Sequence, residues 1–233
     1  AEDYQGATVT LTNPGTIGTT TSVPRLMNGQ GVIIGVGAMD YPAEFAGVSP
    51  RKLALLGIGK TMFVSSTYDH RVIQGAASGD FLRLLDLKLS GRDGFYDRVF
   101  TALHIPVPPY AWEADFEYDL EREKGKPARI AELIQAYRSR GHLAADTDPL
   151  AYRVRRHPDL NLSTYGLTVW DLDRSFPTGG FGGSEQMLLR DLLARLHDTY
   201  IRSIGIEYMH IQDPNQRHWV QERIEGPFEA PSA

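Results

Sequence analysis

The sequence predicts an α/β domain of the α+β layer kind, followed by a mainly helical region. Three observations predict it. Short β-branched and apolar runs bounded by Gly, Pro and Asn recur in the first third, and a leucine-rich helix pattern follows them. The C-terminal part then repeats the helical apolar spacing twice.

Thr8-Val9-Thr10-Leu11-Thr12 alternates as a strand does, and Asn13-Pro14-Gly15 supplies the turn after it. Residues 31–39 form a second apolar strand and residues 61–68 a third. A helix is expected from about Ser78, with Phe81, Leu82, Leu84, Leu85, Leu87 and Leu89 apolar and Gly91 as its C-terminal cap. Composition shifts near residue 92. His104-Ile105-Pro106-Val107-Pro108-Pro109 favours extended backbone and leads into the acidic stretch Glu113 to Glu123, so a connector is expected over 93–126. In the last part, 127–233, Ile130, Leu133, Ile134 and Tyr137 fall on one helical face, with Gly141 ending that helix. Leu188, Leu189, Leu192, Leu193, Leu196 and Tyr200 repeat the pattern behind Ser184 as N-cap, and Asp213-Pro214-Asn215-Gln216 opens a last helix.

Composition excludes several classes. At roughly 150 residues per domain, 233 residues make one large domain or two small ones. There is no cysteine, hence no disulfide scaffold, thiolate metal site or cysteine nucleophile, which fits a cytoplasmic protein. The longest apolar run, Val32 to Met39, is strand-sized, so no membrane span is expected. A net charge of −5 argues against a nucleic-acid footprint. The N-terminus lacks an initiator methionine and a signal-peptide pattern, and reads as a segment of a longer chain. His104, His142, His157, His197, His210 and His218 show no metal-ligand spacing and are expected to be structural. Arg138 and Arg140 are expected to complement a helix end rather than bind an anion.

Two places can carry chemistry. His70 follows a strand and precedes a turn, where an imidazole can act as general base at neutral pH; a structural or solvated histidine is the competing reading. Thr8 to Gly18 places hydroxyls just before a turn, where one can donate to an oxyanion; there the competing reading is a plain strand former.

The residues around both places carry a resemblance. Asp69-His70-Arg71-Val72-Ile73-Gln74-Gly75 resembles the D-H-R-x-x-D-G motif of the dihydrolipoyl acyltransferases, whose catalytic domain is like that of chloramphenicol acetyltransferase. Gly6 to Gly18 is similar to that family's G-G-T-F-T-[IV]-[ST]-N-x-G-x-x-G strand, Ser22 and Pro24 to its S-x-P continuation, and Gly31 to Gly37 to its second strand. The second half resembles the N-terminal region of the 2-oxoglutarate dehydrogenase decarboxylating component, through Ile134 to His142, Asp148-Pro149-Leu150, Gly205 to Ile211, and Trp219 with Arg223-Ile224-Glu225. Two such parts in this order resemble the family of actinobacterial multifunctional 2-oxoglutarate metabolism enzymes.

The resemblance implies the C-terminal part of an acyltransferase catalytic domain over 1–92 and the helical start of a thiamine-dependent dehydrogenase over 127–233. It implies that His70 deprotonates a thiol of dihydrolipoamide or coenzyme A and that Thr12 donates to the oxyanion, with Arg71, Gln74 and Asn13 in support. The sequence contains neither G-D-G nor an Asn-Asn pair, so thiamine diphosphate and magnesium are expected to bind outside this segment. A lipoyl-bearing acyltransferase, dihydrolipoamide dehydrogenase and further copies of the chain are the implied partners. Two departures stand out: Gln74 replaces the family's aspartate, and Asp40 to Lys60 is longer than expected. Gln74 leaves a second reading open, in which the acyltransferase fold serves as an assembly or allosteric platform for the decarboxylase.

Overall fold

A computed structural model describes residues 6–105, 107–113, 119–148, 150 and 155–226. Ala1 to Gln5, Pro106, residues 114–118 of the acidic stretch and Pro149 therefore lie outside the described residues. The chain forms two compact units, Ala1–Asp93 and Gly94–Ala233.

In the first unit, β1 (Val9–Thr12), β2 (Val32–Val36) and β3 (Val64–Tyr68) form one sheet in that order. β1 runs parallel to β2, with Val9 beside Val32 and Thr12 beside Gly35; β3 is antiparallel, with Tyr68 beside Val32 and Val64 beside Val36. The loop from Asn13 to Pro24 returns across β2, and glycines make that possible. A Cβ on Gly37 would overlap the Thr20 carbonyl, and one on Gly35 would lie 2.8 Å from Ser65 Oγ. The long segment after β2 leaves and returns through a bridge between Asp40 and Thr61. It holds helix α1 (Pro50–Leu55), which Ser49 caps and whose Leu53 is buried. α2 (Gly75–Leu89) follows β3 and is tied to it by Ser78 Oγ donating to Ser66 Oγ at 3.2 Å. Its C-terminus closes as expected around Gly91, at φ 72°: Gly91 N bonds Lys88 O and Arg92 N bonds Leu87 O.

In the second unit, α3 (Phe95–Ala102) and the start of α4 (Leu120–Ala144) lie within the stretch expected as connector. α4 begins early because Asp119 accepts from the backbone N–H groups of Glu121 and Arg122, and the first turn carries Glu121 and Glu123. Lys126 anchors it, lying between Glu123 and the fully buried Asp171, which also binds Arg174. Gly141 does not end α4. A Cβ there would sit 2.6 Å from Tyr200 Cβ, so this glycine serves close helix packing instead. Ser184 is not the cap of α5 (Leu189–Tyr200) either; a two-stranded hairpin, β4 (Ser175–Pro177) and β5 (Gln186–Leu188), runs directly into that helix. α6 (Pro214–Glu225) opens as expected on Asp213, whose carboxylate accepts from Asn215 N at 2.8 Å.

The core of this unit gathers Ile130, Leu133, Tyr137, Phe181, Leu189, Leu192 and Tyr200. Two polar groups inside it are paired across long separations. Arg138 forks onto Glu225 at 2.7 and 2.8 Å, and Tyr200 donates to the same carboxylate. Arg140 pairs with Asp159. Both arginines thus bind carboxylates from distant segments, which corrects the helix-end reading. The second group is His197 Nε2, 2.9 Å from Tyr137 Oη, which in turn donates to Leu160 O at 3.2 Å.

Burial pulls His197 down to about 4, against the pull of Asp198 in the other direction. An unfolded histidine titrates near 6.5, so as pH falls the unfolded chain takes up its proton first. The second unit is then expected to lose stability between about pH 6.5 and 4, by on the order of 3 kcal/mol at the low end. Denaturant midpoints of the natural protein and His197→Gln, compared at neutral and acid pH, check this. The variant should have the flatter profile, and equal slopes would refute it.

Candidate active site

The turn after β3 is built by the backbone. Asp69 N donates to Gly31 O at 2.9 Å, which extends the sheet by one rung, and Val72 N and Ile73 N then both bond Asp69 O. Gln74 caps α2 in extended conformation, without a side-chain bond to the helix. His70 therefore stands at the top of a tight strand-to-helix turn, exposed, its ring 5.7 Å from that of Tyr68. Tyr68 also bounds Gly75, where a Cβ would lie 3.3 Å from the phenol oxygen.

The charges in this turn are committed to each other. Arg71 donates to both Asp69 oxygens through Nε and Nη2, and its backbone N–H adds a bond of 3.0 Å. These bonds, the side-chain one first, hold the Asp69 carboxyl down to about 2. Asp69 thus stays ionised at neutral pH and faces the guanidinium; among the described contacts it makes none with His70. The sequence reading missed this pair, although an acid and an arginine two residues apart in a turn are the signal for it.

Thr12 ends β1. The burial pattern of the strand turns Val9 and Leu11 outward and Thr10 and Thr12 toward the half-covered face. Thr10 Oγ1 accepts from Gln30 Nε2 at 2.7 Å. Asn13 starts the short helical turn Pro14–Ile17, and its carbonyl accepts from Thr16 Oγ1 at 3.1 Å.

The structure does not bring Thr12 and His70 together. The row Thr8, Gly31, Asp69 marks the end of the sheet next to His70, whereas Thr12 lies beside Gly35 at the other end. Four residues of strand separate the two rows, about 13 Å at 3.3 Å per residue. His70, Arg71 and Gln74 form one cluster; Thr12 and Asn13 form another.

Among the described residues no group of three or more His, Asp or Glu side chains is placed to hold a metal ion. No described helix is long and apolar enough to cross a membrane. His157 accepts from Asp159 N through Nδ1, and His218 lies 3.1 Å from Glu222, which makes both part of local structure.

Comparison with known proteins covers the stretch that carries both clusters. Residues 1–91 match the family model for the 2-oxoacid dehydrogenases acyltransferase (catalytic domain). This stretch is similar to that catalytic domain. The match covers the three-stranded sheet of the first unit, both clusters and α2. Over the whole chain, multifunctional 2-oxoglutarate metabolism enzymes from two Mycobacterium strains, JLS and KMS, are 57% identical. The enzyme of that name from Mycolicibacterium vanbaalenii is 56% identical. The chain spans 18–19% of the length of these relatives and so matches only a segment of each.

Proposed function

We propose that this chain is a segment of a multifunctional 2-oxoglutarate enzyme, in which His70 is the base of acyl transfer between lipoamide and coenzyme A. The observation that carries the reading is the exposed His70 on the Asp69–Gly75 turn, within a stretch matching an acyltransferase family. In this reading residues 1–92 are the C-terminal part of a chloramphenicol acetyltransferase-like domain and 93–126 a connector. Residues 127–233 then begin the decarboxylating component. Thiamine diphosphate and magnesium would serve decarboxylation from sites outside the segment. A lipoyl-bearing acyltransferase and dihydrolipoamide dehydrogenase are the proposed partners, and the cytoplasm the proposed location.

The chemistry assigned to these residues is a proton transfer followed by acyl exchange. His70 takes the proton of a thiol, which at an unperturbed pKa of about 8.5 is mostly protonated at neutral pH. The thiolate attacks the thioester carbonyl, and the tetrahedral oxyanion accepts from the Thr12 hydroxyl. Collapse expels the second thiolate, which recovers the proton from His70. Arg71 and Gln74 shape the turn, and Asn13 the end of β1.

With about 13 Å of strand between the two clusters, the donor in this reading comes from another copy of the chain. Exposed Val9, Leu11, Ile17 and Val23 give that copy apolar surface to cover. Thr12→Ala in the full-length enzyme should lower kcat for succinyl transfer to coenzyme A by about 10²–10³-fold. Co-assembly of Thr12→Ala with His70→Ala subunits then tests the arrangement. Mixed oligomers should regain activity that neither variant has alone, and no recovery would refute sharing between copies.

Gln74 favours a second reading. A neutral side chain that makes no cap bond, beside an arginine already tied to Asp69, fits a domain retained as an assembly or allosteric platform. His70→Ala with full activity and altered oligomerisation would select that reading.

A further inference from the structure

The second unit contains a cavity of about 270 Å³ that the acyltransfer reading does not use. Its inner wall is Tyr137, fully buried, with His197 and Leu162 beside it. Its outer part is a strap, residues 107–113, from which Tyr110 and Glu113 line the cavity. That strap belongs to the segment expected to be a connector, yet it is held down at both ends. Val107 packs on the core, Trp170 Nε1 donates to Glu113 O at 2.7 Å, and the Trp112 and Trp170 rings meet edge to face at 6.3 Å.

Polarity runs in one direction through this cavity. The inner end is aromatic and aliphatic, and its imidazole is uncharged at neutral pH because burial holds it near 4. The exposed side chains along it include the carboxylates of Asp97 and Glu113, and none of the described lining residues is a lysine or arginine. Two acids in a lining that also holds two tyrosine rings attract a cation and repel an anion, and the apolar interior takes a flat hydrocarbon body. We propose that this cavity binds a small organic ammonium ion with an aromatic body, the ring against Tyr137 and the charge toward Asp97 and Glu113. Phosphorylated or carboxylated ligands are repelled from it.

Three probes of equal size test the proposal: 2-phenylethylamine, 2-phenylethanol and phenylacetate, titrated into the full-length protein by saturation-transfer NMR. The amine should bind at least about tenfold more tightly than the acid, since two carboxylates and two tyrosine rings attract its charge and repel the acid's. In Asp97→Asn/Glu113→Gln that preference should fall to near parity while the alcohol binds unchanged. Leu162→Trp, which fills the cavity, should abolish binding of all three. Equal or tighter binding of phenylacetate, no binding of the amine at millimolar concentration, or a preference surviving the double amide variant would each overturn the proposal. If Leu162→Trp disturbs the fold, the double amide variant, altered only at exposed side chains, decides alone.

Discussion

His70→Ala is expected to lower succinyl transfer to coenzyme A in the full-length enzyme by about 10²–10⁴-fold, the usual contribution of a positioned general base. The fold should survive, because His70 is exposed on a turn whose backbone bonds run through Asp69, Val72 and Ile73 rather than through its side chain. The pH profile separates a base from a structural group. The natural enzyme should show an acid-side inflection in its rate that the variant lacks, whereas the residual rate of the variant should follow only thiol ionisation. Asp69 contributes no inflection near neutrality, since Arg71 holds its carboxyl at about 2. Full activity in His70→Ala would refute the assignment.

Arg138→Ala is the largest expected change in stability, a loss of about 3–5 kcal/mol from the second unit, because it leaves a buried carboxylate without its cation. The Glu225 side chain is 6% exposed and accepts from Arg138 at two points. Tyr200 remains as a donor, but a phenol brings no charge. The double variant Arg138→Met/Glu225→Leu should lose much less, since it removes both charges and keeps volume. Tryptophan fluorescence during denaturation of the 233-residue chain reads the second unit specifically: Trp112, Trp170 and Trp219 all lie within Gly94–Ala233. Equal midpoints for Arg138→Ala and the natural chain would show that the pair contributes nothing.

What could be read in advance was local. Alternation marked β1, apolar runs marked β2 and β3, Gly91 marked the end of α2, and Asp213 marked the start of α6, because each signal acts within a few residues. The turn bearing His70 was legible for the same reason. Register was not: nothing near Thr12 or His70 says that β1 runs parallel to β2, and that pairing is what puts them at opposite ends of the sheet. Gly141 was misread because a glycine near a helix end resembles a stop, while its actual neighbour, Tyr200, is remote in sequence. The β4–β5 hairpin escaped because strands of three residues carry too little periodicity to register. The Tyr137–His197 and Arg138–Glu225 pairs join residues 60 and 87 positions apart, and only the folded core brings them together.

The 25 residues of α4 make a rod about 38 Å long at 1.5 Å per residue. It is clamped near one end by the ion cluster of Glu123, Lys126, Asp171 and Arg174, and near the other by Gly141 seated against Tyr200. Pro127, where the helix lacks one backbone donor, falls beside Lys126, so the weakest joint of the rod is also the most firmly held. Held at these two places, the helix is expected to keep its axis through the proline rather than bend there. A displacement imposed at Leu120 is then expected to reach Ala144 largely undiminished, which makes α4 a candidate lever within the second unit.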